Sequence, residues 1–319
     1  MIQNGSSLFN QLELGWARGT EFFPIQPSED TLAGLEEICI GTRFRSLGDA
    51  LVLTSLPAAL RRRYPSLKRV TTYPRGFNPV VFQANPLVEG LHRAPPAVYG
   101  DDASVGGGQI IDTKLAFFGI NPTKCPPEDR IPKLWTTAAE RAWAHHDLIE
   151  HHSYMAFDLS KPLCIIHPWG ITRNRVLPVE SWDAIVKMIS RKYRVWQIGL
   201  ENDSAVQGCD YYFLQRRSWT QIRKLFAVLE KASLYLGVDS GPMHVAKAFQ
   251  IPSLILINHV DPAAVMRGRK EGLPLTEPIQ RLGAYLYDDN RHILVEKKSG
   301  LQTTAEMGGL LEQVNALLP

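Results

Sequence analysis

VDSGPMHVAKAFQIPSLILI, residues 238–257, leaves an apolar stretch, turns tightly, and enters a helical pattern; a second apolar stretch follows after Pro252. The turn is Asp239-Ser240-Gly241-Pro242. Gly241 lets a ligand and the backbone approach closely. Pro242 suits the first turn of a helix, where its missing N–H would have had no partner. Two readings of this turn compete. Ser or Asp ahead of a helix is a common N-cap. Alternatively, the amides of that first turn can hold phosphate oxygens, with Asp239 accepting from sugar or ribose hydroxyls and His244 facing the same pocket from the first helical turn. The turn's place at the carboxyl end of a strand favours a ligand, because open parallel sheets bind there.

The flanking sequence has the matching rhythm. Residues 163–166, 194–199, 234–238 and 252–257 read as buried strands. A helix over 179–192 sets Trp182, Ile185, Val186 and Ile189 on one face. Another, over 218–231, does the same with Ile222, Leu225, Phe226 and Leu229. Near-continuous apolar strands alternating with amphipathic helices imply a parallel sheet covered on both faces. Two further loops follow strands in this half. His167-Pro168-Trp169-Gly170-Ile171-Thr172-Arg173-Asn174-Arg175 offers two arginines and a threonine, which suit a diphosphate or a solvated basic loop. Gly199-Leu200-Glu201-Asn202-Asp203 offers a carboxylate for a ribose diol, or a helix cap.

The first half is read by the same rules. Ile38-Cys39-Ile40-Gly41 is a strand candidate. A helix opens near Asp49 and carries Leu53, Leu56 and Leu60 on one face, with a kink expected at Pro57. It ends before Tyr64-Pro65. Residues 69–73 make the next strand, completing a parallel βαβ unit. Asp49 lies where a loop enters the helix. It reads as a cap held ionised by the helix dipole or as a general base taking a proton from a hydroxyl. Arg43 and Arg45 in that loop could hold an anionic acceptor. Val80-Val81-Phe82 is a short apolar run, and 136–152 looks helical.

At 319 residues the chain fits two domains, and 45% hydrophobic with 21% charged residues is an ordinary globular balance. A net charge of +3 does not suggest bulk nucleic-acid binding. Cys39, Cys125, Cys164 and Cys209 are widely spaced, which reads as reduced thiols in a cytoplasmic protein. The N-terminus lacks the pattern of a signal peptide, and no stretch has the apolar length of a membrane helix. His145, His146, His151 and His152 lack the helical spacing of metal ligands and read as an exposed face. Arg61-Arg62-Arg63 with Lys68-Arg69 reads as a solvated helix end, or as a peripheral contact with the inner face of a membrane. No dinucleotide fingerprint, Walker loop or nucleophile elbow is present. The expected layout is an appendage over 1–35, a first domain over 36–158, and a second over 159–319, whose apolar final helix packs back on the first and starts with a Thr303–Glu306 capping box.

Three segments together resemble glycosyltransferase family 9, the lipopolysaccharide heptosyltransferases: SLGDALVLTSLPAALRRRYPSLKRV (46–70), IIHPWGITRNRVLPVESWDAI (165–185) and VDSGPMHVAKAFQIPSLILI (238–257). The resemblance implies an α/β protein of GT-B architecture, two Rossmann-like domains with parallel sheets facing a central cleft. It implies an inverting, metal-independent transfer from a nucleotide-sugar, usually ADP-heptose, to a hydroxyl of a glycan or lipopolysaccharide-type acceptor, with no cofactor. By position, Asp49 matches the family's base. Arg175 matches a basic residue on the donor phosphates, and Glu201 a carboxylate on the ribose. Asp239, Ser240, Gly241 and His244 match the donor loop. A non-catalytic sugar-nucleotide-binding protein and a sugar-nucleotide epimerase on the same fold remain as alternatives. The first 35 residues have no counterpart in the family's usual start.

Overall fold

The computed structural model describes residues 21–23, 29–42, 47–74, 76–92, 97–99, 110–146, 158–170, 177–216, 218–257, 291–295 and 304–318. Arg43, Arg45, Arg175, His151, His152 and the 303–306 capping box lie outside the described residues, wholly or in their side chains. By contacts the chain divides into two units: Met1–Thr137 with Ser218–Arg223, and Ala138–Arg217 with Lys224–Pro319.

The first unit holds a parallel sheet of β1 (Glu21–Phe23), β2 (Glu37–Ile40), β3 (Arg69–Thr72) and β4 (Ala97–Tyr99), in the order β1-β4-β2-β3. Two elements of this sheet's unit come from within 1–35. They are the edge strand β1 and α1 (Glu29–Ala33), which buries Leu32.

The βαβ unit expected around Asp49 is present, but its helix is broken. α2 (Leu47–Val52) runs into a 3-10 turn, Leu53–Ser55, and α3 (Leu56–Arg63) begins afresh with Pro57 in its first turn. Pro57 has no N–H for the carbonyl of Leu53, so the N–H of Leu56 bonds that carbonyl instead, closing the tighter turn. Thr54 and Ser55 turn their hydroxyls back to the carbonyls of Leu51 and Val52 at 2.6 and 2.9 Å. Tyr64, ahead of Pro65, leaves the helix at φ −121° and ψ 85°. Val80–Phe82 lies in a short helix, α4 (Asn78–Phe82), whose residues are all buried. Asn78 clasps the end of β2. It accepts from the Thr42 N–H at 3.2 Å and donates to the Thr42 carbonyl at 3.1 Å. α5 (Ile110–Phe117) completes the described helices of this unit.

The second unit is built on six parallel strands: β5 (Leu163–His167), β6 (Arg194–Leu200), β7 (Tyr211–Gln215), β8 (Leu234–Val238), β9 (Ser253–Ile257) and β10 (Arg291–Leu294). Their order is β10-β9-β8-β5-β6-β7. The chain starts in the middle at β5, lays β6 and β7 to one side, then returns to lay β8, β9 and β10 on the other. This is the Rossmann order, in which the two halves diverge at the β5/β8 pair. β7 and β10, absent from the strands read in the sequence, are the two edges. β7 buries only Phe213 fully, so its pattern lacks the continuous apolar run of the central strands.

One face of this sheet packs on α7 (Val179–Ile189), where Trp182, Ile185, Val186 and Ile189 meet Cys164, Ile166, Val195, Leu234, Leu236 and Val238. The last helix, α10 (Thr304–Leu317), adds Leu310 and Val314 to that same core. It lies beside α7 and β10, and Leu310 and Val314 are buried in the second unit's core. By contacts, the second unit begins at Ala138. α6 (Ala138–Trp143) belongs with the second unit because Trp143 packs 6.3 Å from the Phe213 ring and lies under the Lys224 ammonium, 4.3 Å away.

Within the described part of the expected helix over 136–152, α6 is followed by a wider turn over residues 144–146, where His145 and His146 are exposed; residues 147–152 lie outside the described residues. The basic run at the end of α3 is largely paired: Arg61 with Glu89, Arg62 with Asp129, and Lys68 with Glu36. Arg63 lies over the Tyr64 ring. Among the described residues, no helix is long and apolar enough to cross a membrane. The remaining helices among the described residues are α8 (Trp219–Leu229), which carries Phe226 and Leu229 buried, and α9 (Gly241–Ala248).

Because Val314 is fully buried in the second unit's core, Val314→Ala should lower the stability of that unit by roughly 1–3 kcal/mol. Gln313→Ala, one residue away and exposed, should change it by less than about 0.5 kcal/mol. Urea unfolding midpoints of the two variants check this.

Candidate functional site at the strand-order switch

Parallel strands end together, so the loops after β8, β5 and β6 share one rim of the sheet. Where the strand order reverses, the loops on either side diverge and leave a crevice at the carboxyl ends. Here that point lies between β5 and β8, which pair in register His167 with Gly237. β5 thus ends on His167, and β8 delivers the chain to Asp239 and Ser240.

The structure brings these two loops together through one contact. His167 Nδ1 and Ser240 Oγ are 2.9 Å apart. Ser240 Oγ also donates to the Val238 carbonyl at 3.1 Å. Ser240 occupies the N-cap position of α9 in extended backbone, φ −161° and ψ 171°, yet its side chain makes no cap hydrogen bond. The capping reading of Ser240 therefore fails: the hydroxyl is turned to the neighbouring strand. Gly241 and Pro242 open α9 as expected, with Pro242 in its first turn. Asp239 is 5% exposed and His244 is 3% exposed, so both are built into the interior rather than offered to solvent.

Burial pushes the His167 imidazole down from 6.5 to about 4. It is therefore neutral near pH 7, carrying one N–H and one acceptor nitrogen. It can take the Ser240 proton or give its own, and it brings no charge to the rim.

The loop after β6 is held just as firmly. Trp169 Nε1 and Gln197 Nε2 both donate to the Ser204 carbonyl at 2.8 Å, and Gln197 Oε1 accepts from the Val206 N–H at 2.7 Å. Asp203 Oδ2 accepts from the Leu200 N–H at 2.6 Å. The carboxylate comes so close that a Cβ at position 199 would sit 2.5 Å from it, which is why Gly199 stands there. Glu201 rides on this braced turn. The expected helix cap does not arise, since the chain continues through a turn to β7. Glu201 is exposed and pairs with Arg216 at 2.8 Å, both in solvent. Such a pair contributes little stability and is readily exchanged for a hydroxyl pair.

In the first unit, Asp49 is the third residue of α2 and half-buried. The Asn78–Thr42 clasp fixes the strand end from which its loop departs. The cysteines offer no thiolate. Burial pushes Cys39 and Cys209 each up to about 12 and raises Cys164 further. Among the described residues, no group of three or more His, Cys, Asp or Glu is arranged to hold a metal ion.

Sequence reasoning singled out His167 and Asp203 only as parts of their loops, and it passed over Gln197. The rule that parallel sheets bind at strand ends could have flagged His167, because it ends β5. Gln197 reads as one polar residue inside a strand and gives no signal until its loop is folded over it.

Residues 132–268 match the model of glycosyltransferase family 9 (heptosyltransferase). No curated protein sequence matches the chain. Among solved structures, the chain is similar to a family 9 glycosyl transferase from Veillonella parvula, with TM-score 0.65, 14% identity, and 91% of this chain and 99% of that one covered. It is also similar to the ADP-heptose lps heptosyltransferase II of E. coli, with TM-score 0.56, 13% identity, and 89% and 98% covered. The iron-containing dodecameric glycosyltransferase TibC of enterotoxigenic E. coli follows at TM-score 0.52, 14% identity, and 88% and 76% covered. These are likenesses of fold, and they agree with the α/β architecture of parallel sheets described above.

The neutral His167 has a consequence for stability. The unfolded chain takes up a proton on this residue below about pH 6.5, whereas the folded chain does so only below about 4. Stability should therefore fall as pH drops from 6.5 toward 4, each unit of difference being worth about 1.4 kcal/mol at most. The measurement is the thermal midpoint against pH. His167→Gln should flatten that window relative to the parent; an unchanged slope would mean that His167 is not held neutral.

Proposed function

We propose that this chain, a glycosyltransferase by its family 9 segment, moves a sugar from a nucleotide-sugar donor to a hydroxyl of a glycan or lipopolysaccharide-type acceptor, with inversion and without a metal ion. Heptose from ADP-heptose is the favoured donor, since the matched family is described as heptosyltransferase and one similar fold is an ADP-heptose-dependent enzyme. The observation that carries the reading is the His167–Ser240 contact at the strand-order switch, with the Ser240 side chain drawn off the N-terminus of α9.

The second unit holds the donor. The first-turn amides of α9 and the Ser240 hydroxyl bind the diphosphate, and Arg175 adds a positive charge. Glu201, two loops along the same rim, takes the ribose diol in place of Arg216. Asp239 and His244 frame the loop, Asp239 through hydroxyls of the sugar. Arg43 and Arg45 hold the acceptor. In the first unit, Asp49 is the base. As the acceptor oxygen attacks the anomeric carbon, its proton passes to Asp49, the bond to the diphosphate oxygen breaks, and the configuration inverts. The charge that builds on the departing diphosphate is met by Arg175 and the α9 amides. The site is cytoplasmic, where nucleotide-sugars are supplied.

Thermal shift against ADP, GDP, UDP and dTDP and their sugars tests the donor site. One of them should stabilise the protein, by about 2.7 kcal/mol at a hundred times its Kd; no shift with any would sink this reading. Asp49→Ala should reduce transfer at least ~100-fold while donor affinity stays within a factor of two. Full turnover in that variant would remove Asp49 from the base role. EDTA should leave the rate unchanged. Donor binding without any product would point instead to a non-catalytic sugar-nucleotide-binding protein.

A further inference from the structure

Tyr235 is a fully buried residue in the middle of β8. Its neighbours Leu234 and Leu236 face the α7 core, so Tyr235 and Gly237 share the opposite face of the strand. The Tyr235 ring lies along the strand over Gly237. A Cβ at 237 would stand 2.4 Å from the Tyr235 hydroxyl oxygen, 2.7 Å from Cζ and 3.1 Å from the His167 carbonyl. Gly237 is thus the residue that lets the ring lie down. By lying down, the ring carries its hydroxyl toward the carboxyl end of β8, beside Ser240 and Asp239. There the hydroxyl is buried and, among the described residues, has no partner in full hydrogen-bonding geometry, Ser240 being the side chain within its reach.

A buried hydroxyl without a partner is destabilising, and phenylalanine would fill the same space without that penalty. Native interiors leave few polar atoms in this state. The cost therefore calls for a return elsewhere, and the position shows where. Ser240 has one hydroxyl proton. In the resting protein it is directed to the Val238 carbonyl or the His167 imidazole. A phosphate oxygen arriving at the α9 N-terminus needs that proton. Once Ser240 gives it up to the phosphate, its oxygen is open to a donor from behind, and the Tyr235 hydroxyl stands beside it.

We propose that Tyr235 is a positioning residue of the donor loop: its hydroxyl, without a well-formed bond at rest, completes a hydrogen bond to Ser240 Oγ when Ser240 turns to the donor diphosphate. The inference rests on the donor-site reading above. Tyr235 never touches the donor. It acts through Ser240, holding that hydroxyl toward the ligand and strengthening its bond to the phosphate by donating into it.

The test is Tyr235→Phe, alone and combined with Ser240→Ala, in the full chain. Two quantities are read: the thermal midpoint without ligand, and the Kd for whichever of ADP, GDP, UDP and dTDP binds the parent most tightly, by calorimetry. Tyr235→Phe should leave the midpoint equal or raise it, yet weaken the nucleoside diphosphate roughly 5- to 10-fold, the range of one hydrogen bond. In the Ser240→Ala background the same change should cost less than about twofold, because the two residues act as a unit. A merely structural tyrosine would not produce rising stability with falling affinity. Unchanged affinity, a lowered midpoint, or an equal loss in the Ser240→Ala background would each overturn the role of Tyr235 while leaving the donor site intact. If none of the four diphosphates binds the parent, the donor-site reading falls and this inference with it.

Discussion

Everything in the second unit turns on the pairing of β5 with β8. These two strands are far apart in sequence and adjacent in space, and each feeds a loop to the same rim. Because both are parallel and central, their ends must be reached by crossovers that run in opposite directions from the switch point. The loops part there, and the N-terminus of α9 is left beside the end of β5. His167 and Ser240 meet for that reason alone. The rest of the rim is braced around this pair: Trp169 and Gln197 tie down the loop after β6, and Asp203 with Gly199 shapes the turn that carries Glu201.

The apolar side of the sheet serves the same end. Trp182, Ile185, Val186 and Ile189 of α7, with Leu310 and Val314 of α10, clamp the central strands from one face. Close packing of this kind leaves the strand ends little freedom. Against that rigid frame the polar groups on the other face stand out. Tyr235, whose buried hydroxyl lacks a partner in full hydrogen-bonding geometry among the described residues, is one place on that face where a polar atom is held at a cost to stability.

In the first unit the constraint is proline chemistry. Pro57 removes one backbone donor, and the chain answers with a 3-10 turn, two hydroxyls turned onto carbonyls, and a second helix start. The break keeps α2 short, so Asp49 sits in the first turn of a helix one and a half turns long. Asn78 then secures the strand end ahead of it by pairing both amide groups with the backbone of Thr42. A local rule of sequence thereby sets the backbone from which Asp49 is presented.

Much of this was legible from residue order. The strands β2, β3, β5, β6, β8 and β9, the amphipathic stripes of α7 and α8, the end of α3 at Tyr64, and the turn at Asp239–Pro242 all rest on periodicity or on the steric demands of glycine and proline, which act over a few residues. The strands β1, β4, β7 and β10 were not legible; β7, at a sheet margin, buries only Phe213 fully and so carries no continuous apolar run. The docking of α10 was not legible either: an apolar stripe says that a helix is buried but not against what. Nor could the sequence tell that Ser240 bonds His167 rather than capping its helix, or that Gly237 makes room for Tyr235. Those facts belong to the strand order, which joins residues 73 positions apart and is decided only when the whole sheet closes on its core.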